Sequence, residues 1–387
     1  MQLQSLLSKL AISIFIFSLL CKPIEVFSQK ITIKSEYLKQ ERIINIFLPE
    51  GYECSKASYP IVFVTDGSVL TNYIHGLFIY NWDIYPPVII VGINQINRGK
   101  ELVPQEGSKI YENFSNFVNK ELLPRIESDY RSNGLNILIG HSFGGYFSLV
   151  CMLENPKINY AISISPTIWG RYEKNIDLTL KEYSSVNQNK IYFGIAEGDH
   201  KTLKKGVIKL NDFVKNNSKL KIESNIEEYS NEDHNSSILI GARKGLNKIF
   251  KNWPTVFPTE KWNKMSEKKD ASIFYNYFHN ISKKTKKNII PSEEDYNSLG
   301  YFYLGENKIT EAIEIFNKNM FLYPCSSNVY DSLGEAYEKN NNLKKALRSY
   351  RKAVKIEKKT GRDKSLINQY VQRIQELKRS TYFLNKF

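Results

Sequence analysis

The segment from Leu135 to Gly145 constrains this chain more than any other. An apolar run, Leu135-Asn136-Ile137-Leu138-Ile139, leads into Gly140-His141-Ser142-Phe143-Gly144-Gly145. An apolar stretch through Tyr146, Phe147, Leu149, Val150 and Met152 follows. The order reads as buried strand, Gly-x-Ser-x-Gly and helix. A serine on so sharp a strand-to-helix turn sits in strained backbone, and its neighbours are glycine because a side chain would collide with the turn. The positive end of the following helix then lies where an oxyanion would develop. A bare Gly-x-Ser-x-Gly is a weak signal. Framed by strand and helix, it predicts a serine nucleophile.

From residue 30 to about 251 the hydrophobic pattern alternates between strand and helix. Strands are expected at 31–37, 42–48, 61–65, 88–93, 160–165, 191–196 and 219–229, with helices at 113–130, 202–216 and 236–250. Such alternation predicts a mostly parallel sheet covered by helices on both faces, and with the strand, serine turn and helix above it makes an α/β fold of the α/β-hydrolase kind the expectation. Residues 252–262 carry Pro254 and Pro258 among aromatics and lack periodicity, so a connector laid on a surface is expected over 252–270. Beyond it the chain repeats. Tyr296, Leu299, Gly300, Tyr303, Ala312 and Phe316 recur 34 residues later as Tyr330, Leu333, Gly334, Tyr337, Ala346 and Tyr350. That period predicts an all-α domain over 271–387 with two tetratricopeptide-like units, 293–326 and 327–360, and packing or capping helices on either side.

The N-terminus reads as a secretory signal peptide over 1–28: Lys9, an apolar stretch from Leu10 to Cys21, and small residues before Gln29. An exported protein, periplasmic or extracellular, is the expectation, with no transmembrane span in the mature chain. Outside that leader Cys54, Cys151 and Cys325 are few, scattered and odd in number, which predicts neither a disulfide framework nor a zinc site. The formal charge of +14 comes from lysines spread throughout, without an aromatic-plus-basic motif. A solvated basic face follows, and no nucleic-acid partner.

A serine nucleophile needs a base, and in this fold the chain order is Ser, acid, His. Of five histidines only His200 and His234 fall between the serine and the end of the α/β region. His234 lies in the loop after the last strand, where the base is presented, whereas His200 reads as a surface residue starting a helix. The acid should follow the strand at 191–196, which leaves Asp199 or, as the alternative, Glu197. One backbone donor for an oxyanion comes from Phe143; Gly67 or Ser68, after the buried strand ending near Thr65-Asp66, supplies the second. Arg98 and Glu101 flank the expected pocket, Arg98 either holding an anionic substrate bidentately or forming a structural pair with Glu101. No cofactor and no metal are implied.

These segments resemble the esterase D family of α/β hydrolases, which includes siderophore esterases. The resemblance is carried by Leu48-Pro49-Glu50-Gly51-Tyr52, Tyr59-Pro60-Ile61-Val62 with Asp66-Gly67, and Arg98-Gly99-Lys100-Glu101-Leu102-Val103-Pro104. Glu121-Leu122-Leu123-Pro124, Gly140 to Gly145, Ser163 to Trp169 and the His234 loop complete it. It implies a serine esterase acting on a small-molecule ester, a siderophore ester among the candidates. An acyltransferase would use the same residues, and a repeat-based scaffold with a vestigial hydrolase is the alternative of another class. The repeats are expected to dock on the hydrolase, walling its active-site entrance, or to self-associate, rather than to recruit a peptide partner.

Overall fold

The computed structural model describes residues 28–81, 84–185, 188–250, 253, 257–285, 287–360 and 363–384. The expected leader lies outside these residues apart from Ser28. Eight strands form one sheet in the order β1-β2-β4-β3-β5-β6-β7-β8. They are β1 Ser28–Ser35, β2 Gln40–Phe47, β3 Tyr59–Val64, β4 Ile89–Ile93, β5 Ser132–His141, β6 Ile158–Ile164, β7 Asn189–Ala196 and β8 Ile222–Tyr229. β1 and β2 pair antiparallel at one edge, and all pairings from β4 to β8 are parallel.

Period-two alternation divides the core. Ile61 and Phe63 of β3 and Leu138 of β5 point to one face; Val62, Val64, Ile137 and Ile139 point to the other. Both faces are buried, so these strands read as continuous apolar runs. The first face carries α3 (Ile110–Asn116), a π-turn (Phe117–Leu122), α4 (Leu123–Asp129), α5 (Phe143–Glu154), α6 (Arg171–Glu182) and α7 (Lys201–Asn216). The second carries α1 (Gly67–Tyr80) and α8 (Ser237–Phe250), and a short α2 (Arg98–Glu101) follows β4. Every residue of α5 from Gly144 to Leu153 is buried, Cys151 included.

The helical part comprises α9 (Thr259–Lys268), α10 (Ser272–Thr285), α11 (Glu293–Gly305), α12 (Ile309–Leu322), α13 (Ser327–Lys339), α14 (Leu343–Thr360) and α15 (Lys364–Leu384). The repeated glycines are explained by contact. A Cβ on Gly300 would lie 2.3 Å from the Phe316 ring, and one on Gly334 2.5 Å from the Tyr350 ring. Each unit thus seats the aromatic of its second helix on the bare backbone of its first.

Two expectations need correction. The connector is not merely laid on a surface: α9 occupies 259–268, and Phe257 is buried among Met265, Phe274 and Phe278, its N–H donating to Asp295 at 2.7 Å. Pro258 precedes α9 and starts that helix. Residues 252 and 254–256 of the connector lie outside the described residues. Nor are the cysteines all free: Cys54 and Cys325, 271 residues apart, form a disulfide that joins the sheet domain to the repeats. Odd counting missed it, because one bridge and one buried thiol also make three.

That bridge lies at the N-terminal edge of the parallel strands. Nearby, the Lys56 N–H donates to the Leu322 carbonyl at 2.9 Å, the Lys287 ammonium reaches the Gly134 carbonyl, and Trp253 packs against both the second sheet face and the helical core. A cavity of about 430 Å³ lies in this seam, lined by Tyr59, Pro60, Pro86, Trp253, Ile289 and Tyr323 among others. The repeats therefore dock at the end of the sheet opposite the C-terminal strand ends, and none of these contacts, made among the described residues, involves the region around Ser142.

Candidate active site

β5 runs through Ile139 to His141, and the chain reverses on Ser142 (φ 57°, ψ −115°) into α5. An L-residue adopts this backbone only under constraint. The constraint is visible: a Cβ on Gly140 would lie 1.9 Å from the Gly144 carbonyl oxygen, and one on Gly144 2.3 Å from Thr65 Oγ1. The Ser142 N–H donates to the Ile164 carbonyl at 2.9 Å, tying the turn to β6. Phe143 opens α5, so its N–H belongs to the first turn that no helical carbonyl can satisfy. Gly67 and Ser68 open α1 in the same way, after Asp66 in the left-handed region (φ 54°). Two helix N-termini thus face the same strand ends.

His234 lies in the loop between β8 and α8. Its Nδ1 stands 2.6 Å from Asp199 Oδ1, and the Asp199 side chain is wholly buried. The other carboxylate oxygen accepts from Ser165 Oγ at 2.6 Å and from the Ala196 N–H at 2.7 Å. Burial alone would push this carboxyl up. Hydrogen bonds from His234, Ser165 and Ala196 outweigh it and hold Asp199 below the ordinary carboxylate range. An ionised carboxylate here accepts the Nδ1 proton and leaves Nε2 as the acceptor nitrogen of the ring.

Of the two acids that the sequence left open, Asp199 meets His234. Glu197 is exposed and accepts from the Asn231 N–H at 2.8 Å, shaping the loop instead. His200 starts α7, its Nδ1 accepting from the Thr202 N–H at 3.3 Å, as expected of a helix-start residue.

His141, the neighbour of Ser142, does more than occupy the variable position of the motif. Its Nε2 lies 2.6 Å from the His234 carbonyl oxygen, which can only accept, so this nitrogen carries the proton; the two rings are 4.8 Å apart. Burial pulls the His141 imidazole down to about 4, which keeps it neutral. Ser165 and His141 both escaped the sequence reading, since nothing local distinguishes a serine or histidine aimed at a distant loop.

Arg98 and Glu101 do not pair with each other, and Glu101 does not face a pocket. Glu101 is buried against Arg42, with Oε1 2.5 Å from Nη2, and also accepts from the Ile96 N–H at 3.1 Å. It holds β2 to the segment after β4. Arg98 instead forks onto Asp66, with Nε to Oδ1 at 2.6 Å and Nη2 to Oδ2 at 3.1 Å, and Nη2 also donates to the His141 carbonyl at 3.0 Å. Among the described residues no group of three or more His, Cys, Asp or Glu could hold a metal ion, and no helix is long and apolar enough to cross a membrane.

Comparison with known proteins agrees with this architecture. The family model described as "Putative esterase" matches residues 35–248, more than half of the chain, and a tetratricopeptide-repeat model matches 327–360. The uncharacterized protein YbbA of Bacillus subtilis is 28% identical over 151 residues, which span 35% of this chain and 60% of that protein. The IroE-like serine hydrolase of Shewanella oneidensis superposes with a TM-score of 0.61 at 22% identity, covering 76% of this chain and 98% of that one. The siderophore hydrolase EstB of Aspergillus nidulans gives 0.52 at 16% identity, over 59% of this chain and 96% of its own. At such identities the two structures speak for the fold alone. The family model supplies the assignment: the chain belongs to this esterase family, enzymes that hydrolyse ester bonds, and carries a tetratricopeptide repeat C-terminal to its esterase part.

Proposed function

We propose that this protein is an exported serine esterase working through Ser142, His234 and Asp199. Ser142 Oγ attacks the ester carbonyl while His234 Nε2 takes its proton, and the Asp199 carboxylate stabilises the imidazolium without being protonated. The Phe143 N–H and that of Gly67 or Ser68 hold the oxyanion. His234 returns the proton to the departing alcohol, leaving an acyl-Ser142. Water, deprotonated by the same imidazole, then releases the acid and restores the serine. The single observation that carries this reading is the 2.6 Å contact between His234 Nδ1 and the fully buried Asp199, in a chain whose Ser142 is held at positive φ.

Two finer readings accompany it. The ester is proposed to be of the siderophore class, supported by the segments from Asp66 and from Arg98 to Pro104 and by the fold shared with a siderophore hydrolase. Export is supported by the basic-then-apolar N-terminus and by the Cys54–Cys325 bridge, since disulfides persist in oxidising compartments. The test is mass spectrometry of the purified protein after brief exposure to a panel of esters that includes siderophore lactones. An acyl adduct on Ser142 supports the mechanism. Turnover with an adduct on another residue overturns it.

A further inference from the structure

Arg98 lies beside the serine turn, and its Nε and Nη2 donors are already committed. We propose that Arg98 is a positioning residue: its guanidinium clamps the Asp66-Gly67-Ser68 turn to the nucleophile elbow and so fixes the spacing of the two oxyanion donors. The proposal rests on the reading of Ser142 as nucleophile.

The geometry is that of a crosslink. The Nε and Nη2 edge takes both oxygens of Asp66, the residue whose left-handed backbone launches Gly67 and Ser68. Nη2 also takes the carbonyl of His141, the residue before Ser142. One planar group therefore joins the ends of β3 and β5, whose helices supply the two donors. The partners already fit closely on the other side. The Asp66 N–H donates to Gln95 Oε1 at 2.9 Å, a Cβ on Gly67 would lie 2.5 Å from the Gly92 carbonyl carbon, and one on Gly144 would lie 3.3 Å from Asp66 Oδ2. The Phe143 ring covers the guanidinium, with its centroid 5.6 Å from Cζ. The Nε–Nη2 edge, the fork that matches a carboxylate, is taken by Asp66, and only Nη1 stays outside these bonds. Lysine cannot substitute, because an ammonium does not span a carboxylate and a carbonyl in one plane.

The test compares the full chain with its Arg98→Ala, Arg98→Lys, Asp66→Asn and Asp66→Asn/Arg98→Ala variants. The readouts are the rate of Ser142 labelling by a fluorophosphonate, kcat and KM for p-nitrophenyl acetate per labelled site, and Tm. Loss of one oxyanion donor costs about 100- to 1,000-fold in kcat. Arg98→Ala should therefore lower kcat and the labelling rate about 100-fold, with KM within about threefold. Arg98→Lys should recover little, and the double variant should be no worse than Arg98→Ala, because the two residues act as one unit. A raised KM at unchanged kcat would overturn the proposal in favour of a substrate clamp. A fall in Tm with unchanged rates per labelled site would reduce Arg98 to a structural residue, and equal labelling rates in all variants would also defeat it. If the unmodified chain is not labelled at Ser142, the nucleophile reading itself fails, and that failure is visible before any Arg98 variant is compared.

Discussion

The two ends of the parallel strands are built on opposite principles. At the C-terminal end, strained backbone and charged groups converge: Ser142 at positive φ, the His234–Asp199 contact, and Arg98 crosslinking Asp66 to His141. At the N-terminal end, where the repeats dock, the contacts are mostly apolar packing around Trp253, with a main-chain hydrogen bond, the Lys287 ammonium on the Gly134 carbonyl and one covalent bridge. The first arrangement is costly and locally specific; the second is tolerant and strong. The proposed catalytic groups at one end are thus separated from the attachment of the repeats at the other by the length of the strands.

Perturbing each end alone should break one property and spare the other. Ser142→Ala is expected to cut ester hydrolysis by at least about a thousandfold, with Tm and docking unchanged; survival of activity would remove the catalytic end from the comparison. Asp199→Asn should cost up to about ten-thousandfold in kcat, because an amide no longer fixes the Nδ1 proton or stabilises an imidazolium. At the other end, Cys54→Ser should lower stability by about 3 kcal/mol, the usual value for removing a bridge, with kcat unchanged at low temperature. Denaturant unfolding with an activity assay on the same sample checks both, and a large fall in kcat would show the edges to be coupled.

Acid gives a subtler separation. The His141 imidazole titrates at about 4 when folded and near 6.5 when unfolded. The unfolded chain therefore binds more protons between these values. The contribution is fully present above about pH 6.5 and is lost as pH falls toward 4, by roughly 2 kcal/mol after allowance for its partial exposure. Asp199, whose folded pKa is depressed, adds its own loss only below the ordinary carboxylate range. Urea unfolding at pH 7 and pH 4.5 should show the His141 loss in the natural chain and a flatter response in His141→Gln; identical slopes would mean that the imidazole is not held neutral. The smallest effect expected is from Glu197→Gln, within about twofold in kcat, since its carboxylate serves the Asn231 N–H rather than His234.

Much of the fold was legible because the signals are local. Strands buried on both faces are continuous apolar runs, and the expected segments fall within a few residues of the observed ones. Helix α1 was missed for an equally local reason. Its buried residues are only Gly67, Thr71 and Ile74, while Val69 and Tyr80 are exposed, so its apolar residues form no single stripe. The repeats were legible because glycine and aromatic recur at one spacing, and each such pair is in contact within its own unit.

By itself, then, the sequence determined the α/β sheet, the serine turn, the candidate base and the helical repeats. The sheet, the turn and the repeats follow from backbone sterics or from periodicity within a few tens of residues, and the base from its place in the chain order. Tertiary structure alone decided which acid meets His234, that Arg98 grips Asp66 and the His141 carbonyl while Glu101 is spent on Arg42, and that Cys54 reaches Cys325. It also decided that the repeats dock at the far edge of the sheet. The reason is physical: a charge or a thiol carries no local mark of its partner, and the partner is chosen only when burial brings distant residues together and makes an unpaired polar group too costly to keep.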